Sequence, residues 1–344
     1  MGEMHRFRLS TEALANASFA LSPLQETVLG LRLWTHQHGY PEQTPWAEVL
    51  RPSFERLPGA PLLVSLVGPN RYVPDFLTPR PTTPQPDFHA ELAVARALPP
   101  EQLAAELGAA HLQHAPELPP LLARGLAEDP AELLVRITDA LEQYWERCVA
   151  PLWWPRARPV LQADLVHRSR IFAERGAAAL FADLDQRLEY ADGVLTIHRD
   201  WGDQDADITV AARGLVFTPT CFARGAVTSI SPDYPPSIVY PARGQGTMSP
   251  VPQPPPAPAA LELLLGAPKA RLLTLLAEPA STTELAARLG VTPGAVSQHL
   301  AVLHATRLVT RTRRGRLVLY ARSGLADELL GQRPGDDPPL PPGS

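Results

Sequence analysis

Four arginines, Arg311, Arg313, Arg314 and Arg316, fall within six positions around Gly315 in the segment LVTRTRRGRLVLYA. Guanidinium groups at the tip of a short hairpin can clamp phosphates or probe a narrow minor groove. Shortly upstream, Thr292, Gly294, Ser297, Gln298 and His299 gather hydroxyl, amide and imidazole groups and a bare backbone position in one segment. A glutamine amide presented in a major groove can pair bidentately with adenine. His299 falls beside the apolar stripe of Val296 and Leu303, which suits packing with one ring nitrogen turned to phosphate.

Other residues with chemical potential make weaker patterns. His198, Asp200, Asp203, Asp205 and Asp207 resemble a metal or acid–base cluster, but alternating acids in a glycine-containing loop read better as a soluble turn. Tyr240 to Gly246 ends in a short Gly-rich stretch with no lysine and no following helix, so it does not read as a phosphate cradle. Trp145, Trp153, Trp154 and Trp201 read as core before ligand pocket. Cys221 reads as a buried small apolar residue, and His111 and His114 as surface. The two cysteines make no Cys-x-x-Cys, and there is no Gly-x-Ser-x-Gly, no Ser-His-Asp order and no Walker motif. Catalytic residues, cofactor and metal are therefore all expected to be none.

The basic and polar segments need elements to position them. Ser281-Thr282-Thr283-Glu284 is a capping box that opens a helix through Leu285, Ala286 and Leu289. Gly290 ends that helix, and Thr292-Pro293 caps and starts a second, with Val296, Leu300 and Leu303 on one face. Ala286 lets the two helices approach, Gly290 makes the turn, and Val296 packs one helix on the other, as a helix-turn-helix demands. Leu308–Arg311 and Leu317–Tyr320 then pair as a wing around the arginine tip.

Charge separates this module from the rest. Residues 258–333 hold ten Lys/Arg against five acids, whereas residues 1–257 hold 21 arginines against 29 acids. Between them GQGTMSPVPQPPPAP carries six prolines and no charge, a composition that favours an extended polyproline spacer. The chain of 344 residues, 45% hydrophobic and 19% charged, is long enough for more than one core. We expect an α+β protein: residues 1–243 a large mixed domain, 244–258 a proline-rich linker, 259–331 a winged helix-turn-helix, and 332–344 a disordered tail.

In the large domain, Met4–Leu9 alternates as a strand and Ser22-Pro23 opens a helix. Helical patterns follow over 42–57, 87–98, 100–114, 117–127, 130–149 and 151–184, with breaks near Pro155, Pro159 and Gly176. Beyond Asp185 the period changes to two. RLEY and VLTIH around Ala191-Asp192-Gly193 form a hairpin signature, and DITVAA, GLVFTP and SIVYP read as further short antiparallel strands. No apolar run reaches the ~18 residues of a membrane span. Glu3, Arg6, Arg8, Glu12 and Asn16 interrupt what a signal peptide would keep apolar, so the expected compartment is the cytoplasm.

The segment LAARLGVTPGAVSQHLAVLHATRLVTRTRRGRLVLYARS resembles the winged helix-turn-helix of the ArsR family of bacterial repressors. The resemblance covers about a fifth of the chain. It implies a homodimer on double-stranded DNA, with Thr292, Gly294, Ser297, Gln298 and His299 near DNA and Arg313, Arg314 and Arg316 on the wing. It also implies a dimer interface on outer helices, here Ala260–Leu265 and Leu325–Leu330. Metal-sensing members carry a Cys-x-Cys pair in the first helix, whereas STTELAARLG has no thiol, so metal control is not expected. Residues 1–245 are similar to a domain of unknown activity found ahead of such modules. The expected function is a dimeric repressor whose N-terminal domain senses a small molecule. The alternatives are a catalytic N-terminal domain with an autoregulatory DNA-binding module, or a protein-interaction domain in its place.

Overall fold

The computed structural model describes residues 3–199, 206–210, 214–229, 234–248, 250, 258–314 and 317–330. They form two compact units, Met1–Pro250 and Val251–Ser344. The fold class is α+β, as expected.

The first unit begins with β1 (Glu3–Leu9), the alternating segment, which buries Phe7 and Leu9. Ser10 then caps α1 (Thr11–Ala15), and β2 (Ser18–Phe19) follows. Ser22 caps α2 (Pro23–Gly30), its hydroxyl accepting from the Gln25 N–H at 3.0 Å, with Pro23 at the first turn where no N–H is missed. Every residue of α2 is buried, so the other helices pack around it. These are α3 (Arg32–Thr35), α4 (Thr44–Phe54), α5 (Ala60–Ser65), α6 (Phe88–Arg96), α7 (Leu103–His111), α8 (Pro120–Glu128) and α9 (Pro130–Tyr144). A π-helical stretch, Trp145–Trp153, continues α9 into α10 (Trp154–Leu184), and α10 kinks at Gly176, where φ is 80°. Arg168 bonds Asp183 across that kink.

The hairpin is present as β3 (Leu188–Ala191) and β4 (Val194–Arg199). Asp192 and Gly193, with φ of 51° and 78°, make its tight turn, as positive φ at both central residues requires. The remaining strands are β5 (Ala206–Val210), β6 (Val216–Thr220) and β7 (Ser237–Pro241). They form two small sheets, ordered β3-β4-β1-β5 and β2-β6-β7.

Strand direction differs from expectation. β5 runs parallel to β1, and β2, β6 and β7 are mutually parallel. A hairpin turn forces antiparallel pairing only for β3 and β4. The other partners are joined by long connections that permit either direction. The linker also starts later than read: Gln43 Nε2 donates to Gln245 Oε1 at 2.8 Å, and the Trp46 indole donates to the carbonyl of buried Met248. Residues 244–248 thus belong to the first unit.

Two cores support this unit. One gathers the helices around Leu24, Leu33, Leu63 and Trp153, and the other lies where α10 covers the sheets at Phe181, Ile197 and Phe217. Cys221 is buried, as are Trp153 and, in part, Trp145 and Trp154. His111 is a correction, since it is 2% exposed and burial pushes its pKa down, whereas His114 is exposed. Its position on the inward face of α7 follows from Leu103, Leu107 and Ala110, the apolar residues it stacks beside. Asp200, Asp203, Asp205 and Trp201 lie outside the described residues.

The second unit comprises α11 (Pro258–Leu265), α12 (Ala267–Leu275), β8 (Ala280–Ser281), α13 (Thr282–Leu289), α14 (Pro293–Ala305), β9 (Val309–Arg314), β10 (Leu317–Arg322) and α15 (Gly324–Leu329). Its sheet is ordered β8-β10-β9, and its core holds Leu272, Leu285, Val296, Leu300 and Leu303.

Candidate nucleic-acid interface

The geometry of α13 and α14 is set by short-range chemistry. The Ser281 hydroxyl accepts from the Glu284 N–H at 3.3 Å, and the Glu284 carboxylate accepts from the Ser281 N–H at 2.6 Å. Those bonds also hold the Glu284 carboxyl below its usual pKa. Gly290 ends α13 in the left-handed conformation, φ 67°, where a side chain would be strained. Thr292 then caps α14, accepting from the Ala295 N–H at 3.3 Å.

α14 buries Val296, Leu300 and Leu303 against the core. At about 100° per residue, Gly294, Ser297, Gln298 and Ala301 must fall on the opposite face, and all four are exposed. Thr292, at the cap, is exposed as well. His299 is half-buried on the flank, where it shares a cavity of about 200 Å3 with Arg271 of α12. That Arg271 neighbourhood has no sequence signal, because α12 carries no motif.

The wing forms as expected, with β9 and β10 antiparallel and Arg313 opposite Val318, Arg311 opposite Tyr320. Arg311 and Arg313 are two residues apart on one strand, so both project from the same face, and both are exposed. Arg314 closes β9 opposite Leu317. Arg316 lies outside the described residues. The root of the wing is fixed by Ser323, whose N–H donates to the Leu308 carbonyl at 3.0 Å and whose hydroxyl donates to the Arg307 carbonyl at 2.7 Å.

A helix with a thin polar face, next to a hairpin with exposed guanidiniums, can place hydrogen-bonding groups in a major groove while cations meet the phosphates alongside. Among the described residues no group of His, Cys, Asp and Glu is placed to hold a metal, and no helix is long and apolar enough to cross a membrane.

Comparison with known proteins agrees with this local geometry. The model of the bacterial regulatory protein, arsR family, matches residues 269–311. Reduced HlyU from Vibrio cholerae N16961 is 32% identical over 19% of this chain and 73% of its own, with a TM-score of 0.17. NolR from Sinorhizobium fredii is 31% identical over 22% of this chain and 86% of its own, also with a TM-score of 0.17. A search of curated proteins gives no match. Through its C-terminal helix-turn-helix the chain belongs to the ArsR family of bacterial regulatory proteins and is a DNA-binding transcriptional regulator.

Proposed function

We propose that the protein is a homodimeric repressor that docks α14 in the major groove of an operator and lays the wing on flanking phosphates. The first unit senses a small molecule. The observation that carries this reading is the exposed stripe of Gly294, Ser297 and Gln298 directly opposite the buried Val296, Leu300 and Leu303. Thr292 at the cap of α14, His299 on α14 and Arg313 on the wing flank it as phosphate contacts, and we extend this role to Arg314 and Arg316 of the same arginine cluster in the sequence. Dimerisation draws support from Leu263, Leu264 and Leu325, which are 88%, 69% and 54% exposed on α11 and α15. Leucines so exposed on the two outer helices fit a surface that a second copy covers. A DNA target supports the cytoplasm as its compartment.

Sensing fits the first unit better than catalysis. Its most reactive-looking pair is Cys221 beside Glu26. The Glu26 carboxylate accepts from the Thr220 hydroxyl at 2.6 Å, the Cys221 N–H at 3.2 Å and the Trp153 indole at 3.1 Å. Burial raises the pKa of the carboxyl and of the thiol. A thiol held protonated in the core is no nucleophile.

The reading is tested by selecting an operator from genomic DNA and measuring fluorescence anisotropy on operator and scrambled duplexes over a range of salt. Gln298→Ala is expected to cost roughly 1–3 kcal/mol per half-site on the operator and little on scrambled DNA. Arg313→Ala is expected to weaken both duplexes and to lower the salt slope by about one per lost phosphate contact. Equal losses on both duplexes for Gln298→Ala, with none for Arg313→Ala, would overturn the docking.

A further inference from the structure

The first unit carries a cleft of about 860 Å3, within the ~300–1,000 Å3 range of small-molecule sites. Its walls are one-sided in charge. Arg51, Arg71 and Arg224 supply three guanidiniums, His36, His38 and His114 supply three imidazoles, and no Asp or Glu is among the described residues that line it. This runs against the surrounding composition, in which acids outnumber arginines.

Two of these arginines lie against the same glycine. A Cβ built on Gly39 would lie 3.5 Å from Arg71 Nη1 and 3.7 Å from Arg224 Cδ, so both side chains close over that glycine. Among the described residues neither pairs with a carboxylate, whereas Arg51 has only an exposed contact with Glu55 at 3.7 Å. Arg71 sits at φ 69°, a left-handed backbone that costs a non-glycine residue about 1 kcal/mol or more. The turn that imposes it is tight: the Gly68 N–H donates to the Tyr72 carbonyl at 2.7 Å and the Arg71 N–H to the Gly68 carbonyl at 2.9 Å.

The brace behind the pair is Arg32 of α3, 7% exposed and without a carboxylate partner among the described residues. Its Nε donates to the Arg71 carbonyl at 2.8 Å and its Nη1 to the Phe222 carbonyl at 2.7 Å. One buried guanidinium thus ties the turn that presents Arg71 to the loop that presents Arg224. The His36 ring joins the same turn through the Pro69 carbonyl at 3.1 Å. A buried cation is costly unless an anion or a network compensates it, and here its bonds fix the backbone at Arg71 and at Phe222, two residues before Arg224.

We propose that this cleft binds a small phosphate-bearing anion, a phosphomonoester or diphosphate of up to nucleotide size. Arg71 and Arg224 grip the phosphate, and Arg32 acts as their positioning residue. Two unpaired guanidiniums match the double charge and forked geometry of a phosphate, where a single carboxylate would neutralise only one. The site supplies a ligand class for the sensing reading and rests on it for its regulatory meaning, but ligand binding itself is measured without DNA.

The test is isothermal titration calorimetry on the full chain, with inorganic pyrophosphate as the probe at low salt. Wild type is expected to take up one pyrophosphate per chain, more weakly as sodium chloride rises. Arg71→Ala and Arg224→Ala are each expected to weaken binding by about tenfold or more, while Arg124→Ala on exposed α8 leaves it unchanged. Arg71→Gly separates fold from ligand: it keeps the left-handed turn and removes the guanidinium, so thermal stability should hold or rise while binding falls. No heat with wild type, or unchanged binding in Arg71→Gly and Arg224→Ala, would overturn the proposal. Loss of operator affinity in those variants, with no pyrophosphate uptake by wild type, would make the cleft a DNA contact and overturn it too. Pyrophosphate uptake that leaves operator affinity unchanged would keep the site and sink only the sensing reading.

Discussion

The two units position their candidate sites in opposite ways. In the second unit every polar group proposed to meet DNA comes from one stretch, Thr292 to Arg316, and its described elements, α14 and the β9–β10 hairpin, are set by a cap and a strand register that span only a few residues. In the first unit the basic cleft draws on α3, the end of α4, the turn at Pro69–Arg71, His114 and Arg224. Arg32, its brace, bonds a carbonyl 190 residues further along the chain. A site assembled locally leaves a spacing signature, and one assembled by tertiary packing leaves none.

The contrast predicts separable stabilities, and the largest expected effect tests it. Leu300 is fully buried at the centre of the second core, with Leu272, Leu285 and Leu303. Leu300→Ala removes the filling of that core and is expected to cost about 2–5 kcal/mol. Calorimetry of the full chain should show one transition move down sharply and the other stay in place. A common shift of a single transition would show that the two units unfold as one and would break the comparison.

How much could be read beforehand follows the same division. The capping box at Ser281 and Glu284, the left-handed Gly290 and the Thr292-Pro293 start are each written within four residues, and the structure contains all of them. The hairpin turn at Asp192-Gly193 was legible for the same reason. The parallel pairing of β1 with β5 was not, because nothing local fixes the direction of strands about 200 residues apart. His111 reads as surface when its polar type is weighed above its position, but Leu103, Leu107 and Ala110 mark the face of α7 on which it lies. The basic cleft was invisible in a chain whose arginines are spread throughout, and only the folded distances show that Arg71 and Arg224 both lie against Gly39.

A second, smaller effect belongs to the first unit alone. Glu91 of α6 reaches the start of α2, where its carboxylate accepts from the Leu24 N–H at 3.0 Å, and burial raises its pKa from 4.5 to about 7. The folded state therefore holds this proton more tightly than the unfolded chain. Stability contributed by the protonated form is complete below about pH 4.5 and is lost as the pH rises through about 7. The shift corresponds to about 3 kcal/mol by pH 8. Glu91→Gln keeps an oxygen for the Leu24 N–H and has no proton to lose. Urea titrations of the first unit's transition between pH 5 and 8 should fall less steeply for this variant than for wild type, with the second unit's transition unaffected. Parallel pH profiles for the two proteins would contradict the buried, proton-holding role of Glu91.

The smallest effect compares an arginine of each unit. Like Arg71, Arg307 has a left-handed backbone, φ 59°, in its case just past the end of α14. The strain is enforced by the helix end: the Leu308 N–H donates to the Leu303 carbonyl at 2.8 Å, and the Ser323 hydroxyl holds the Arg307 carbonyl at 2.7 Å. Glycine is the usual residue at such a position because it has no Cβ to clash. Arg307→Gly relieves that clash and loses part of the gain to the greater freedom of the unfolded chain. The expected net result is a stabilisation of the second unit by about 0.5–1 kcal/mol, read as a small upward shift of its transition. If Arg307 is strained for a reason, as Arg71 is proposed to be, the variant will also bind scrambled and operator DNA less tightly by a similar factor. If stability rises and both affinities hold, the two left-handed arginines differ in kind: one is kept for its charge, the other only tolerated by a helix end.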